Sequence, residues 1–232
     1  MKLVKLCSGI LAIAAISLNS CKKEELSGNT TFAYEFQAET SLLSIFSEIP
    51  QANQVMATRG IDWTTATLNL ARAELTAKKE SGEEVQASAE NLSNINLLTP
   101  GKYFGEISIP KAAYSSVQVK LIMKKSSGAD IPLTLKAKLT SSSGNQVPVE
   151  FYFNDDAQLT VQTNALEAKG DRYIGQIRLQ LITFLSQIDL SQISTAERTN
   201  GVIIISNTSN TQLYDLAKTA LSSSYTLKIA RK

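Results

Sequence analysis

Asn154, Asp155 and Asp156 follow the apolar run Phe151-Tyr152-Phe153 and are the nearest approach to a chemical constellation in this chain. Calcium takes several oxygen ligands from carboxylates, amides and carbonyls, and this trio offers the right atoms. Adjacent carboxylates on an extended chain point to opposite faces, so both reach one ion only across a turn. The same three residues also read as a polar turn between two strands. Asp62 beside Trp63, the single tryptophan, is a second candidate. An exposed indole next to a carboxylate suits a sugar face, whereas a lone tryptophan in a β-domain also serves as a core anchor. Tyr103 poses the same choice between ligand contact and packing, as do Tyr114, Tyr173 and Tyr225.

Composition removes whole classes of chemistry. The 232 residues include no histidine and two cysteines, Cys7 and Cys21. Without imidazole, Ser-His-Asp and Cys-His nucleophiles cannot be assembled. Zinc, copper and haem sites built on His or Cys ligands go with them. A glycosidase needs two carboxylates facing across a cleft, and nothing in the spacing of Asp and Glu singles out such a pair. The expectation is therefore a protein that is not an enzyme and uses no cofactor. Lys and Arg number 23 against 21 Asp and Glu, with no basic stripe, so nucleic acid is not an expected partner.

The elements that must carry these residues are strands. Phe32, Tyr34 and Phe36 alternate with polar neighbours, as do Leu68 and Leu70, with a change of face near Ala71 of the kind a bulge causes. Val117, Val119, Leu121 and Met123 repeat the pattern, and so do Ile131, Leu133, Leu135 and Leu139. Further strands are expected at 149–153, 158–162, 176–184, 201–206 and 225–230. Lys78 to Glu84 (KKESGEE) reads as a charged hairpin tip. Short alternating runs separated by Gly, Ser, Asn and Asp predict a mainly β fold, an antiparallel β-sandwich with one or two short helices. One helix is expected in TQLYDLAKTALSS, with Leu213, Leu216, Ala217, Ala220 and Leu221 on its apolar face and Asn210 or Thr211 as cap. The spacing in ETSLLSIFSEI (39–49) suggests another, ended by Pro50, and 51–60 reads as loop.

The N-terminus has its own pattern. Lys2 and Lys5 precede a 13-residue apolar run, Leu6 to Leu18, which as a helix covers roughly 20 Å and is short of a ~30 Å hydrocarbon core. Leu18-Asn19-Ser20-Cys21 closes it and resembles the bacterial lipoprotein signal, in which the cysteine thiol takes up diacylglycerol and becomes the acylated N-terminus. Residues 1–20 are then a signal peptide, and 21–31 a lipidated start and polar tether. Acyl chains on Cys21 would make membrane lipid the first partner, since two or three chains anchor stably where one does not. Lys22, Lys23, Glu24 and Glu25 resemble the export signal of Bacteroidetes surface lipoproteins, which places the expected location on the outer membrane, facing the medium.

The order WTTATLNLARAELTAKKESGEEV, LSNINLL, TPGKYFGEISIP and SVQVKLIM is similar to a Bacteroidetes lipoprotein domain family of unknown function. Pro100-Gly101-Lys102-Tyr103 fits its turn before a strand with an early aromatic. That resemblance implies a prealbumin- or transthyretin-like sandwich, here one domain over 32–232, comparable with carbohydrate-binding modules and without assigned catalytic residues. The expected function is a non-enzymatic binding or adhesion module for glycan or protein. The alternative is an assembly subunit of a fimbrial-type or outer-membrane complex that adds strands at an open edge. A hydrolase relying on carboxylates alone is a third class.

Overall fold

The structure is a computed structural model that describes residues 27–39, 60–99, 103–140 and 144–232. The lipidation and export residues Cys21, Lys22, Lys23, Glu24 and Glu25 lie outside the described residues, as do positions 40–59 of the expected second helix and loop.

In chain order the first strands are β1 (Asn29–Glu39), β2 (Ile61–Lys79), β3 (Glu84–Asn96) and β4 (Tyr103–Pro110). Then come β5 (Ala113–Met123), β6 (Leu133–Thr140), β7 (Gln146–Phe153), β8 (Ala157–Thr163) and the short β9 (Leu166–Glu167). The last part contains β10 (Arg172–Gln180), α1 (Leu181–Ser186), α2 (Leu190–Ser194) and β11 (Arg198–Thr199). It ends with β12 (Val202–Ser206), α3 (Thr211–Ser222) and β13 (Tyr225–Arg231).

The mainly β expectation holds, and the antiparallel one needs correction. A smaller sheet orders β13-β10-β1-β4, and a larger one orders β11-β12-β7-β6-β2-β5-β8, with β3 on β2 and β9 on β5. β1 runs parallel to β10, and β12 runs parallel to β7, so both sheets are mixed. The larger sheet curls into a half-barrel, and the arrangement is not specifically transthyretin-like. Three short helices are described where one or two were expected. The run at 176–184 was expected to be one strand, but it is strand only to Gln180, and Leu181 to Ser186 turn into α1. Leu181 and Phe184 are buried in that turn, so the apolar residues that mimicked a strand serve a helical face instead.

β2 joins the two arms of the larger sheet. Its first part, Ile61 to Leu68, pairs with β6, and its second, Arg72 to Lys79, pairs with β5. Thr67, Leu68 and residues 72–78 pair on both sides, so β3 occupies the opposite edge from β5 and β6. Buried positions shift phase along it: Ala66, Leu68 and Leu70 are buried, and then Ala73, Leu75 and Ala77. A bulge at Trp63 to Thr65 sets the first of these phases, since two steps on β2 meet one on β6. On β3, the step from Leu92 to Ile95 spans three residues against two on β2. Asn91 and Asn94 are left-handed there (φ 54° and 55°), a conformation asparagine tolerates better than most residues. Asn69 fixes this irregularity: its side-chain oxygen accepts from the Asn94 N–H at 2.7 Å, and its amide donates to the Ile131 carbonyl at 2.7 Å.

The two sheets share one apolar core. Phe32 and Tyr34 meet edge-on at 5.5 Å between centroids, and Phe151 meets Phe184 edge-on at 5.4 Å. Gly175 on β10 pairs with Tyr34, and a β-carbon built there would lie 2.5 Å from the Phe32 ring. A glycine in a strand interior thus leaves room for an aromatic ring. Gly175→Ala is expected to lower the unfolding free energy by about 1–3 kcal/mol through overpacking. Urea denaturation measures it, and an unchanged midpoint would show that the ring does not depend on this gap.

Candidate functional site

The structure disperses the sequence candidates. Asn154 lies in the β7–β8 turn, where its side-chain oxygen accepts from the Ser126 N–H at 2.9 Å and its amide donates to the Ser126 carbonyl at 3.0 Å. Asp156 accepts from the Lys125 N–H at 2.7 Å and lies 3.7 Å from the Lys124 ammonium. Asp155 turns the other way, toward α3, and accepts from the Tyr214 hydroxyl and the Lys218 ammonium, each at 2.7 Å. The three side chains thus pin the turn to two different elements, with no common centre. Among the described residues, no group of three or more acidic, His or Cys side chains is placed to hold a metal.

Trp63 is half-buried, its ring centroid 6.1 Å from that of Phe151 and 6.2 Å from that of Phe184, which is the core-anchor alternative. Asp62 is exposed on the neighbouring pleat and registers against Lys138. Tyr103 belongs to the other sheet, paired to Glu35. The Arg172 guanidinium lies 5.2 Å and the Lys232 ammonium 5.3 Å from its ring centroid, so cations already occupy the surface a sugar would stack on. Tyr114 and Tyr173 are buried, and the Tyr173 hydroxyl orders the β9–β10 loop by accepting from the Lys169 and Gly170 N–H groups. Tyr225 is half-buried, and burial pushes its phenol pKa up.

Two polar clusters escaped sequence reasoning. Lys136 on β6 registers against Glu150 on β7 at 3.1 Å, and the Tyr152 hydroxyl donates to the same carboxylate. Burial raises the Tyr152 pKa and the bond to Glu150 reinforces the shift, which keeps the phenol protonated and unsuited to act as a base. On the smaller sheet Glu35 is buried and accepts from the Gln176 amide at 3.1 Å, while Gln176 accepts from Arg178 at 2.8 Å. Alternation had assigned Glu35 to a wet face. Only the parallel pairing of β1 with β10 brings Gln176 beside it.

A groove of about 520 Å³ opens between α2 and the start of α3. Asn210 shapes it from the left-handed region (φ 49°). Its side chain accepts from the Glu197 N–H at 3.1 Å and donates to the Glu197 and Ile204 carbonyls at 3.0 and 2.8 Å, tying the α2–β11 segment to β12. Amides and hydroxyls of Gln192, Thr195 and Gln212 line it, together with Ala196, Leu213 and Leu216. Leu216 is 45% exposed, and among the described residues it is the large apolar side chain left in solvent. The pattern of the sequence places it on the buried face of α3; the structure buries Leu213, Ala217, Ala220 and Leu221 as expected, with Tyr214 in place of Leu216. At about 100° per residue, choosing Tyr214 rotates the buried arc away from Leu216. The choice follows from Tyr214 packing on Phe153 at 5.8 Å and bonding to Asp155. A smaller cleft of about 320 Å³ lies at the β2 bend, between Asn69, Asn91, Lys124 and Lys125.

Comparison of the chain with protein-family models, with curated proteins and with solved structures finds no match.

The Asp155 link carries a pH signature. Lys218 first, and then the Tyr214 hydroxyl, hold the Asp155 carboxyl below its usual range. A carboxylate depressed in the folded state contributes stability that is present above its unfolded pKa, near 4, and is lost as pH falls through the folded value. Asp155→Asn is expected to cost about 1 kcal/mol at pH 7. That gap should narrow as the pH is taken below about 4. Chemical denaturation at pH 7 and pH 3 checks it, and an equal gap at both would remove the charge from the account.

Proposed function

We propose that this chain is a lipid-anchored, surface-exposed outer-membrane protein whose β-domain is a non-enzymatic binding or adhesion module for protein or glycan. The observation that carries the binding half is the α2–α3 groove with Leu216 in its wall. A leucine left out of the core beside an open groove gives a partner an apolar anchor, and the surrounding amides and hydroxyls supply hydrogen bonds. The anchoring half rests on the Leu18-Asn19-Ser20-Cys21 pattern and on Lys22 to Glu25. Tethering at a membrane raises the local concentration of such modules, so a modest single-site affinity suffices for adhesion.

Between the two ligand classes, the aromatic residues favour protein. Trp63 packs on core rings and Tyr103 lies beneath cations, so neither is arranged as a stacking platform.

Two experiments test the two halves separately. Metabolic labelling with a palmitate analogue should mark the wild type and be lost in Cys21→Ala; unchanged labelling would remove the anchor. Full-length protein in detergent micelles, probed against immobilised host matrix proteins and glycans, should bind at least one protein, and Leu216→Asp should weaken that binding at least tenfold. An apolar anchor buried at an interface carries about 1.5–3 kcal/mol, which sets that factor. Silence on both arrays, or binding indifferent to Leu216→Asp, would overturn the groove as the site.

A further inference from the structure

Sheet edges present unpaired N–H and C=O groups, and proteins guard them with lysine, proline, bulges or neighbouring elements. The edges of this fold are guarded unequally. β13 carries Lys228 and Arg231, and β4 carries Glu106 and ends on Pro110. β8 has no charge, is only seven residues long, and lies against β13 of the other sheet. β3 has 13 residues and, among the described residues, pairs along β2 alone; β4 of the other sheet meets its face at Ala89, whose β-carbon lies 3.6 Å from one built on Gly105, without pairing to it. Its later part is interrupted by left-handed Asn91 and Asn94. Its earlier part, Glu84 to Glu90, is regular, and residues 85–89 between the two carboxylates (VQASA) contain neither charge nor proline.

The side chains of this frame sort cleanly. Val85, Ala87 and Ala89 are half-buried, while Glu84, Gln86, Ser88 and Glu90 are exposed on one face. Glu84 and Glu90 stand six residues apart, roughly 20 Å along the strand. Across the ladder they register against Lys78 and Arg72 of β2. Arg72 lies 3.3 Å from Glu74 on its own strand. Each row therefore runs from a cation on β2 to a carboxylate at the open edge.

We propose that residues 84–90 form a strand-acceptor edge for an extended segment of another protein that carries Lys or Arg at two positions six residues apart. Main-chain hydrogen bonds to the open edge supply affinity, and the two carboxylates select the charges. Opposite charges facing each other across strands stabilise, and like charges destabilise. A second copy of this chain pairing antiparallel about Ala87 would set Glu84 against Glu90 twice, so the charges disfavour self-association in that register. This surface is separate from the α2–α3 groove, and neither proposal depends on the other.

The test uses the full-length protein in detergent micelles and a blocked nine-residue peptide of alternating valine and threonine, with lysine at its second and eighth positions. The peptide is expected to bind and to slow amide hydrogen exchange within residues 84–90. Replacing its two lysines by glutamates should weaken binding about tenfold, the product of two cross-strand charge pairs. The E84K/E90K variant leaves the backbone intact and should invert that preference, while Ala87→Pro should abolish the protection. Equal affinity for both peptides, protection confined to other strands, or concentration-dependent self-association that protects the same amides without peptide would each overturn the proposal.

Discussion

β2 is the constraint on which the rest of this structure depends. A strand of 19 residues is long enough to hold two different neighbours end to end on one edge, β6 and then β5, while β3 takes the other. Because side chains alternate strictly, one strand serves both arms only if its buried phase is reset between them. The phase change between Leu70 and Ala73 does this, and the bulge at Trp63 to Thr65 sets the phase within the first arm. Both irregularities need polar reinforcement where the ladder is broken. Asn69 supplies it at the centre by bonding both to β3 and to the segment leading into β6. The curl of the larger sheet follows, since bulges sharpen local twist.

The second organising link is Asp155 to Tyr214. It connects the β7–β8 turn to a helix 59 residues further along the chain and fixes which side of α3 faces the core. A helix of this composition has two usable apolar arcs, one including Leu216 and the other Tyr214. Tyrosine buries its ring and still has its hydroxyl partnered, so the core gains area without stranding a polar atom. The cost is an exposed leucine, and the exposure falls where a groove opens. Stability on one side of the helix and an exposed leucine on another thus come from the same rotation.

Much of this architecture was legible in residue order because one face of most strands is buried. Val117 to Leu121 and Phe151 to Phe153 keep their expected alternation, and the change of face near Ala71 is where the sequence indicates it, whereas residues 32–36 are buried on both faces. Pairing was much less legible. β7 and β8 are adjacent in sequence and joined by a short turn, yet they pair with β6 and β5, because β2 holds those partners apart. The parallel pairing of β1 with β10 has no local signal, and so neither the burial of Glu35 nor its bond to Gln176 was readable. Period alone also failed at Leu181 to Ser186, where short apolar runs fit either a strand or a helix. As for the candidate site, the polar turn at Asn154 to Asp156 was visible and its destinations were not. The groove owes its form to Asn210 and Tyr214, whose partners lie far away in sequence or on backbone atoms.

The fold has two distinct ends, and they bear differently on the two proposed surfaces. The chain enters β1 at Asn29, where Gly28 accepts from the Lys111 N–H, and the β2–β3 tip sits nearby through the bond from the Glu80 N–H to the Ala113 carbonyl. At the far end of β1 Glu39 pairs with Gln180, from which β10 leads directly into α1, and the end of α3 returns there through the bond from the Gln180 N–H to the Ser224 carbonyl. An 11-residue strand separates these ends by roughly 35 Å. With lipid on Cys21, as proposed, the eight steps to Asn29 reach at most roughly 28 Å, so the entry end stays near the headgroups. With that anchor the end carrying α1 and the end of α3 would be the one farther from the lipid. The 84–90 segment begins beside the hairpin tip, which with that anchor would be the membrane side, where a strand offered by another tethered protein would have the higher effective concentration. Were the anchor and both surfaces as proposed, one tether would sort them by distance: a groove on the far side for what arrives, and an edge on the near side for what is already anchored.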